Sequence, residues 1–184
     1  IAIRGNISKN TIDNINEKNI SLFVGSNFHY VIYPIDQITN TLNFIGILKY
    51  NLNLDEQNNY SLFNDQDFMT NIKNHLNKKI SSNMLSNINN MKCFPIFVSK
   101  DFYKPPKNIN LIGDAFFAFP PSFAQGASQS IEGASELFNS IINNRDDFFN
   151  RRLTRVKMIN KRSKLNQFTF HLSNPLTVYF RNMC

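Results

Sequence analysis

The feature that most constrains the fold of this 184-residue chain is a Gly-Asp pair that follows a short apolar run and precedes a helical pattern. The apolar run covers residues 108–112, and Gly113-Asp114 comes directly after it. Pro120-Pro121 then interrupts regular structure. Apolar residues recur at helical spacing from Gly126 onward, at Ile131, Ala134, Leu137, Phe138, Ile141 and Ile142. The sequence therefore predicts a strand, a loop and a helix over residues 108–144.

This arrangement brings two kinds of hydrogen-bonding group to one point. Asp114 at the end of the strand offers a carboxylate, which accepts hydrogen bonds from sugar-like hydroxyls. The first turn of the helix, Gln125-Gly126-Ala127-Ser128, offers unpaired backbone N–H groups and a partial positive charge. Gly126 has no Cβ, so a flat ring can lie against the backbone there. The pattern is suited to a flavin.

The combined string is much more specific than its parts. Residues 113–134 read G-D-A-x-x-A-x-P-P-x-x-x-Q-G-A-x-Q-x-I-E-x-A, which closely resembles the second FAD-contacting segment of single-component flavin monooxygenases. That class includes salicylate, urate and ubiquinone-pathway hydroxylases. Shorter segments elsewhere are also similar to the family, namely Ile1–Gly5, Phe28–Ile35, Phe94–Phe97 and Phe170–Leu172.

The resemblance implies an enzyme that hydroxylates an aromatic or quinone-precursor ring with NAD(P)H and O2 through a flavin C4a-hydroperoxide. It implies that Asp114 holds the ribityl chain, that the backbone of Gly126, Ala127 and Ser128 faces N1 and C2=O, and that Pro121 lines the ring. The cofactor-binding residues expected from it are Gly113, Asp114, Pro121, Gln125, Gly126, Ala127 and Ser128. No catalytic residue is assigned.

Three departures from the family pattern are visible. Phe116-Phe117 stands where a His is usual, and Gly133 stands where an Asp commonly follows Ile-Glu. No G-x-G-x-x-G occurs, so the ADP half of FAD lacks its usual site. We interpret the chain as the C-terminal half of a full-length enzyme, without the N-terminal dinucleotide-binding fold. A truncated product that needs another chain is the alternative explanation.

The rest of the pattern predicts an α+β fold with a mixed or antiparallel sheet. Strands are expected at residues 20–24, 28–33, 42–52 and 91–99, and two helices between residues 63 and 90, capped by Asn64 or Asp65 and by Ser81 or Ser82. We divide the chain into a sheet-rich substrate domain (1–107), the FAD-contacting segment (108–144) and a basic helical tail (145–184). Pro175 is expected to start a final short helix.

The tail combines an apolar stripe with basic residues. The stripe comprises Phe148, Phe149, Leu153, Val156 and Ile159, and the basic residues are Arg151, Arg152, Arg155, Lys157, Lys161 and Arg162. We expect the stripe to pack internally and the basic residues to face water. Peripheral contact with an anionic membrane is the alternative, and it would suit a lipid-soluble quinone precursor.

Composition and charge narrow the possible partners, metal sites and location of the protein. The formal charge of +7 is dispersed apart from the tail, so no nucleic-acid partner is expected. Cys93 and Cys184 are too few and too far apart for a disulfide framework or a metal-ligand pair, so no metal site is expected. No membrane span or leader pattern is visible either, and together with the lack of a disulfide framework this favours a cytoplasmic location. The three His residues, including His29, are expected to be strand or surface residues rather than bases.

The sequence alone leaves two alternatives to a monooxygenase open. A non-catalytic remnant that binds an apolar ligand or a membrane surface is the alternative from a different class. A flavin-dependent halogenase or epoxidase is the nearer one, although the lysine-bearing tunnel motif of halogenases is absent.

Overall fold

The computed structural model describes residues 1–9, 18–35 and 41–183. The chain divides into two compact units, one made of Ile1–Ile96 with Phe170–Cys184 and the other of Phe97–Thr169. Cys184 and residues 36–40, which lie between the strands predicted at 28–33 and 42–52, are outside the described residues. The three-part division drawn from the sequence stays a prediction.

A five-stranded antiparallel sheet forms the first unit, with strand order β2-β3-β4-β1-β5. The strands are β1 (Ala2–Ser8), β2 (Ser21–Gly25), β3 (Phe28–Pro34), β4 (Thr41–Leu48) and β5 (Asn89–Phe94). The sequence predicted β2, β3 and the start of β4 closely. The strand predicted at residues 91–99 was too long at its end. β5 ends before Pro95, because proline has no N–H for the ladder.

One face of this sheet carries the core of the first unit. In β1 the fully buried Ile3 and Ile7 alternate with Arg4 and Asn6, as the two-residue period of a strand requires. The core also includes Phe28, Ile32, Leu42, Phe44, Leu48, Phe63, Phe68, Ile72, Leu76, Met84 and Cys93. No strand was predicted for β1, although this alternation is visible in the sequence.

Gly5 lets β1 approach β5 closely. A Cβ built there would collide with the Ile88 side chain and lie 2.9 Å from the Asn89 carbonyl oxygen. The register between β1 and β5 shifts between Arg4 and Asn6, beside this contact. The glycine is therefore required by packing at the sheet edge.

Three short helices cover the core face, and side chains cap each one. They are α1 (Leu54–Asn58), α2 (Gln66–Asn77) and α3 (Ser82–Ser86). Asp65 accepts a hydrogen bond from the Phe68 N–H and Ser81 from the Met84 N–H, which confirms both predicted caps. α1 was not predicted, although Asn53 and Glu56 form a capping box at its start.

Longer helices follow, α4 (Gly126–Ile142), α5 (Phe148–Phe170) and α6 (Pro175–Met183), and all three were predicted. The strand predicted at residues 108–112 was wrong. Ile112 is extended (φ −133°, ψ 164°), but no described residue pairs with this segment in a ladder. An extended segment without a neighbouring strand is not a β-strand, and the sequence cannot show whether the neighbour is present.

Candidate cofactor site

The Gly-Asp pair lies in a short 3-10 turn, Gly113–Ala115, beside the start of α4. Gly113 has φ +59°, and a Cβ there would lie 2.9 Å from Ser130 Oγ. Ser130 Oγ donates a hydrogen bond to the Gly126 carbonyl oxygen (2.9 Å). Glycine is required at this position because other residues disfavour the conformation and would crowd Ser130.

Asp114 directs its carboxylate toward the first residue of α4. Its Oδ1 is 4.0 Å from the position that a Cβ would occupy on Gly126. The side chain is exposed, and it forms no hydrogen bond or ion pair with any residue that the structure describes. An ionised carboxylate is purely an acceptor, so this group is free to accept hydrogen bonds from a ligand.

The N-terminus of α4 is not capped by a side chain, unlike those of the first three helices. Gln125 occupies the cap position, but its side chain accepts no hydrogen bond from a backbone N–H of the helix; its Oε1 accepts one from Gln129 Nε2 instead (3.4 Å). Within the described part of the chain, no acceptor is found for the backbone N–H groups of Gly126, Ala127 and Ser128. Aligned N–H groups at a helix start favour negative charge.

The loop between the turn and α4 is held by side chains that the sequence did not single out. Pro121 begins a second 3-10 turn, Pro121–Phe123, and is itself exposed. Ala124 ends it in the left-handed conformation (φ +50°). Ser122 Oγ donates to the Ser163 carbonyl oxygen of α5 (2.6 Å), which anchors the loop.

Phe116 and Phe117, noted in the sequence as the first departure from the resemblance, are buried in the core of the second unit. Phe117 stacks on Phe102 with ring centroids 4.5 Å apart, and Phe116 contacts Phe149 at 5.7 Å. Val156 of α5 packs in the same cluster. The departure from the family pattern therefore serves packing, and it supports the interpretation that the apolar stripe of α5 packs internally.

On its inner side α4 is held by a buried arginine. Arg152 is 3% exposed, and its guanidinium donates to Gln129 O (3.0 Å), Gln129 Oε1 (2.9 Å) and Glu132 Oε1 (3.1 Å). Arg155 adds a bond to Glu132 Oε1 (2.8 Å). The expectation that the basic residues of the tail all face water was thus wrong for Arg152, because acceptor oxygens of Gln129, Glu132 and Glu136 pair with its guanidinium inside the unit.

Glu132 accepts hydrogen bonds from Gln129, Arg152 and Arg155 and so connects this network. Burial alone would raise the pKa of the Glu132 carboxyl, but hydrogen bonds from Arg155 and Gln129 and the charges of Arg155 and Arg152 outweigh it and lower the pKa. Gly133 leaves room for the arginine, since a Cβ there would lie 3.4 Å from Arg152 Nε. The sequence shows the acidic residues at 132 and 136 and the basic residues at 152 and 155, but it does not show that they meet.

In the first unit, His29 of β3 is buried and bonded to a second histidine. Its Nδ1 is 2.8 Å from His171 Nε2, and the Phe170 ring packs edge-on against it. Burial, followed by the proximity of His171, lowers the pKa of His29 to about 4. A structural role on a strand, as the sequence favoured, accounts for this residue.

The described residues contain neither a candidate metal site nor a candidate membrane span. No three His, Cys, Asp or Glu residues among them come together to hold a metal ion. None of the helices in the described ranges is long and apolar enough to cross a membrane.

The chain resembles solved hydroxylase structures in fold. Neither a protein-family model nor a curated protein sequence matches it. It superposes on 2,6-dihydroxypyridine-3-hydroxylase from Arthrobacter nicotinovorans with a TM-score of 0.75 at 14% identity, over 95% of this chain and 52% of that one. It also superposes on Klebsiella pneumoniae HpxO, solved with FAD and uric acid, with a TM-score of 0.70 at 15% identity, over 99% and 48%.

A salicylate hydroxylase substrate complex gives a TM-score of 0.64 at 16% identity, over 99% of this chain and 51% of that one. At such low identity the likeness shows the fold alone. The chain spans about half the length of these structures. The mixed α+β fold with an antiparallel sheet was therefore predicted correctly from the sequence.

Proposed function

We propose that this chain is the C-terminal half of an FAD-dependent monooxygenase that hydroxylates a small aromatic or quinone-like ring with NAD(P)H and O2. The observation that carries the proposal is the position of the Asp114 carboxylate, 4.0 Å from where a Gly126 Cβ would be, at an uncapped helix N-terminus. The fold likeness supports it, because HpxO is solved with FAD and uric acid.

The residues present fit the ring and ribityl portions of FAD. Asp114 supplies acceptors for ribityl hydroxyls, and the N–H groups of Gly126, Ala127 and Ser128 supply donors for N1 and C2=O. The space above Gly126 is open, since a Cβ there would meet nothing closer than 4.0 Å. Gly113 shapes the turn, and Gln125 and Pro121 would flank the ring of a bound FAD. Bound FAD supplies electron transfer and the activation of O2.

The network behind α4 fixes this geometry. Arg152 and Arg155 tie Glu132, two turns into α4, to the neighbouring helix, while Ser122 ties the preceding loop to the Ser163 carbonyl. These bonds hold the donors of the first turn in place before a ligand arrives. Preorganised donors stabilise developing charge better than mobile ones.

The proposed substrate is a small electron-rich ring. The similar structures are a 2,6-dihydroxypyridine-3-hydroxylase, HpxO in complex with FAD and uric acid, and a salicylate hydroxylase substrate complex. The remnant alternative lacks a comparable observation in its favour, because the apolar stripe of α5 that would contact a membrane includes the buried Phe148, Val156 and Ile159.

The test is FAD titration of the full-length protein and its Asp114→Ala variant. Loss of charge-assisted hydrogen bonds worth roughly 1.5–3 kcal/mol should weaken FAD binding about 10- to 100-fold. Asp101→Ala, which removes another exposed carboxylate of the second unit, is the matched control and should bind as the parent does. An Asp114→Ala variant with parental affinity would show that the carboxylate points elsewhere.

The same protein tests the reaction. With FAD bound, it should oxidise NADH or NADPH faster when a hydroxylated aromatic carboxylic acid or a purine is added, and the product should carry one oxygen atom from O2. A colourless full-length protein that does not acquire flavin absorbance would reject the enzymatic proposal in favour of the remnant.

A further inference from the structure

A cavity of about 520 Å³ in the first unit is lined by residues of β2 and β3 and by the residues that follow α2. The residues that give it its chemistry are Phe23, Phe28, Tyr30, Lys78 and Lys79. Small-molecule sites in proteins are cavities of roughly 300–1,000 Å³ with mostly apolar walls and a few polar groups. This cavity has that size and that kind of lining, and it shares no residue with the candidate cofactor site.

The sheet side of the cavity is aromatic. Phe23 and Tyr30 are cross-strand partners, and their rings stack with centroids 4.6 Å apart and planes at 12° to each other. The Phe28 ring lies 5.6 Å from that of Tyr30. Phe23 and Tyr30 are only partly buried, so the pair remains accessible from the cavity that it lines. Stacked rings of this kind favour contact with a further flat ring.

The hydroxyl of Tyr30 adds a hydrogen-bond donor to this aromatic wall. Its Oη has no hydrogen-bond partner among the residues that the structure describes. Burial raises the pKa of the Tyr30 hydroxyl, so the group stays protonated. A ligand oxygen that accepts this proton would supply the partner that the described chain does not.

The α2 side of the cavity is positively charged. Lys79 Nζ donates to the Ser26 carbonyl oxygen (2.8 Å), which fixes one ammonium group at the turn after β2. Lys78 is exposed and forms no ion pair or hydrogen bond with any residue in the described ranges. None of the described residues that line the cavity is acidic. Lysines at the end of a helix offset its dipole, but two of them beside an aromatic wall also attract an anion.

We propose that this cavity binds a flat aromatic ring that carries a carboxylate. The ring packs on Phe23 and Tyr30, and the carboxylate pairs with the ammonium groups of Lys78 and Lys79. Neither a neutral aromatic molecule nor an aliphatic acid uses both sides of the cavity. The proposal goes beyond the proposed function, because it assigns a ligand to residues that have no part in the FAD proposal and does not depend on FAD binding.

An NMR titration of the isotope-labelled full-length protein with benzoate tests the site. At millimolar benzoate the amide signals of residues 23–26 and 78–79 should shift until they saturate, whereas those of β5, at the other edge of the sheet, should not. Benzamide has the same ring without the charge and should bind about 2- to 10-fold more weakly, the range expected for one or two exposed ion pairs. No saturable shift at these amides, or equal affinity for benzamide, would overturn the proposal.

Two variants separate the charged and the aromatic contributions. Lys78→Gln should weaken benzoate binding about 2- to 5-fold. Its matched control is Lys73→Gln, at an exposed lysine of α2 that does not line the cavity. Phe23→Leu keeps an apolar side chain without a ring and should weaken binding about 2- to 10-fold, with Phe94→Leu in β5 as its control. Both controls should bind as the parent does, and parental affinity in either test variant would contradict the assignment.

A nucleotide offers the same chemistry, a flat ring and an anionic group, and AMP is the probe that distinguishes the two sources. Weaker binding of AMP than of benzoate at residues 23–26 and 78–79 supports the carboxylate. Tighter binding of AMP at the same amides would assign the cavity to a nucleotide and reject the proposal. All readouts come from these amides, so the cavity and the cofactor proposal can fail separately.

Discussion

Helix α2 of the first unit buries its apolar side chains, whereas helix α4 of the second unit exposes them. In the first unit, Ile72 and Leu76 of α2 are fully buried against the sheet, and polar residues cover the outside of the helix. In α4, Ile131 and Phe138 are exposed, while Gln129 lies inside. Both helices are amphipathic, so amphipathicity alone does not tell which face is buried.

The difference shows how each region is stabilised. The first unit contains a full apolar core, so hydrophobic burial dominates there. The inner side of α4 is held by the bonds of Arg152 to Gln129 and Glu132, a specific polar network of the kind that fixes orientation more than it adds free energy. Because α4 is held through its polar side, its apolar side remains exposed.

The largest expected effect comes from the same substitution in the two helices. Ile72→Ala should lower the free energy of unfolding of residues 1–184 by about 2–5 kcal/mol, because it leaves a cavity in a closed core. Ile131→Ala should change it by less than about 0.5 kcal/mol, because that side chain already contacts water. Urea unfolding of both variants gives the comparison. A loss above 1 kcal/mol for Ile131→Ala would mean that the face is buried in the chain alone.

A second comparison uses pH. Because the pKa of His29 is lowered to about 4, the unfolded state binds its proton more readily, and the first unit should lose stability as pH falls from 6.5 to 4. The loss should reach about 3 kcal/mol. The pKa of Glu132 is also lowered, but a carboxylate stabilises the folded state above its unfolded pKa of 4.5. The second unit should therefore lose that contribution only below pH 4.5.

Hydrogen exchange between pH 7 and pH 4, corrected for intrinsic rates, distinguishes these two pH ranges. Amides of β3 and β4 should lose protection first, and those of α4 and α5 later. His29→Gln should flatten the dependence of the first unit, while His75→Gln, at an exposed histidine, should leave it unchanged. Simultaneous loss in both units would show that the buried histidine is not responsible.

The smallest effects separate two glycines of the candidate site. Gly113→Ala should cost about 1–2 kcal/mol, since φ is +59° and Ser130 lies 2.9 Å from the new Cβ. Gly126→Ala should be neutral or stabilise the isolated chain by up to about 1 kcal/mol, because a helix prefers alanine and the space is open. In the full-length protein the same change should weaken FAD binding. Gly126→Ala destabilising the isolated chain would assign that glycine to packing instead.

Local features were predictable because their causes lie close together in the chain. Helix caps at Asp65 and Ser81, the bounds of β2 and β3, and the start of α4 at Gly126 follow from residues within one or two turns. The seven proposed cofactor-binding residues were named from the same local string, and the assignment of FAD to them remains a proposal.

Features that depend on distant partners were not predictable. The sequence shows that Arg152 is basic and that Glu132 is acidic, but the folded chain decides that they meet, 20 residues apart. His29 and His171 are 142 residues apart, and their hydrogen bond was not expected. The segment at 108–112 has the composition of a strand, but it is extended without a ladder partner among the described residues.

The sequence by itself determined β2, β3, α2 to α6 and the string that resembles an FAD-contacting segment, because backbone preferences and motif spacing are local. Only the tertiary structure decided which side of each helix is buried. That choice depends on what packs against the helix: around Arg152 the available partners were carboxylates and amides, so the polar face of α4 turned inward and its apolar face remained exposed.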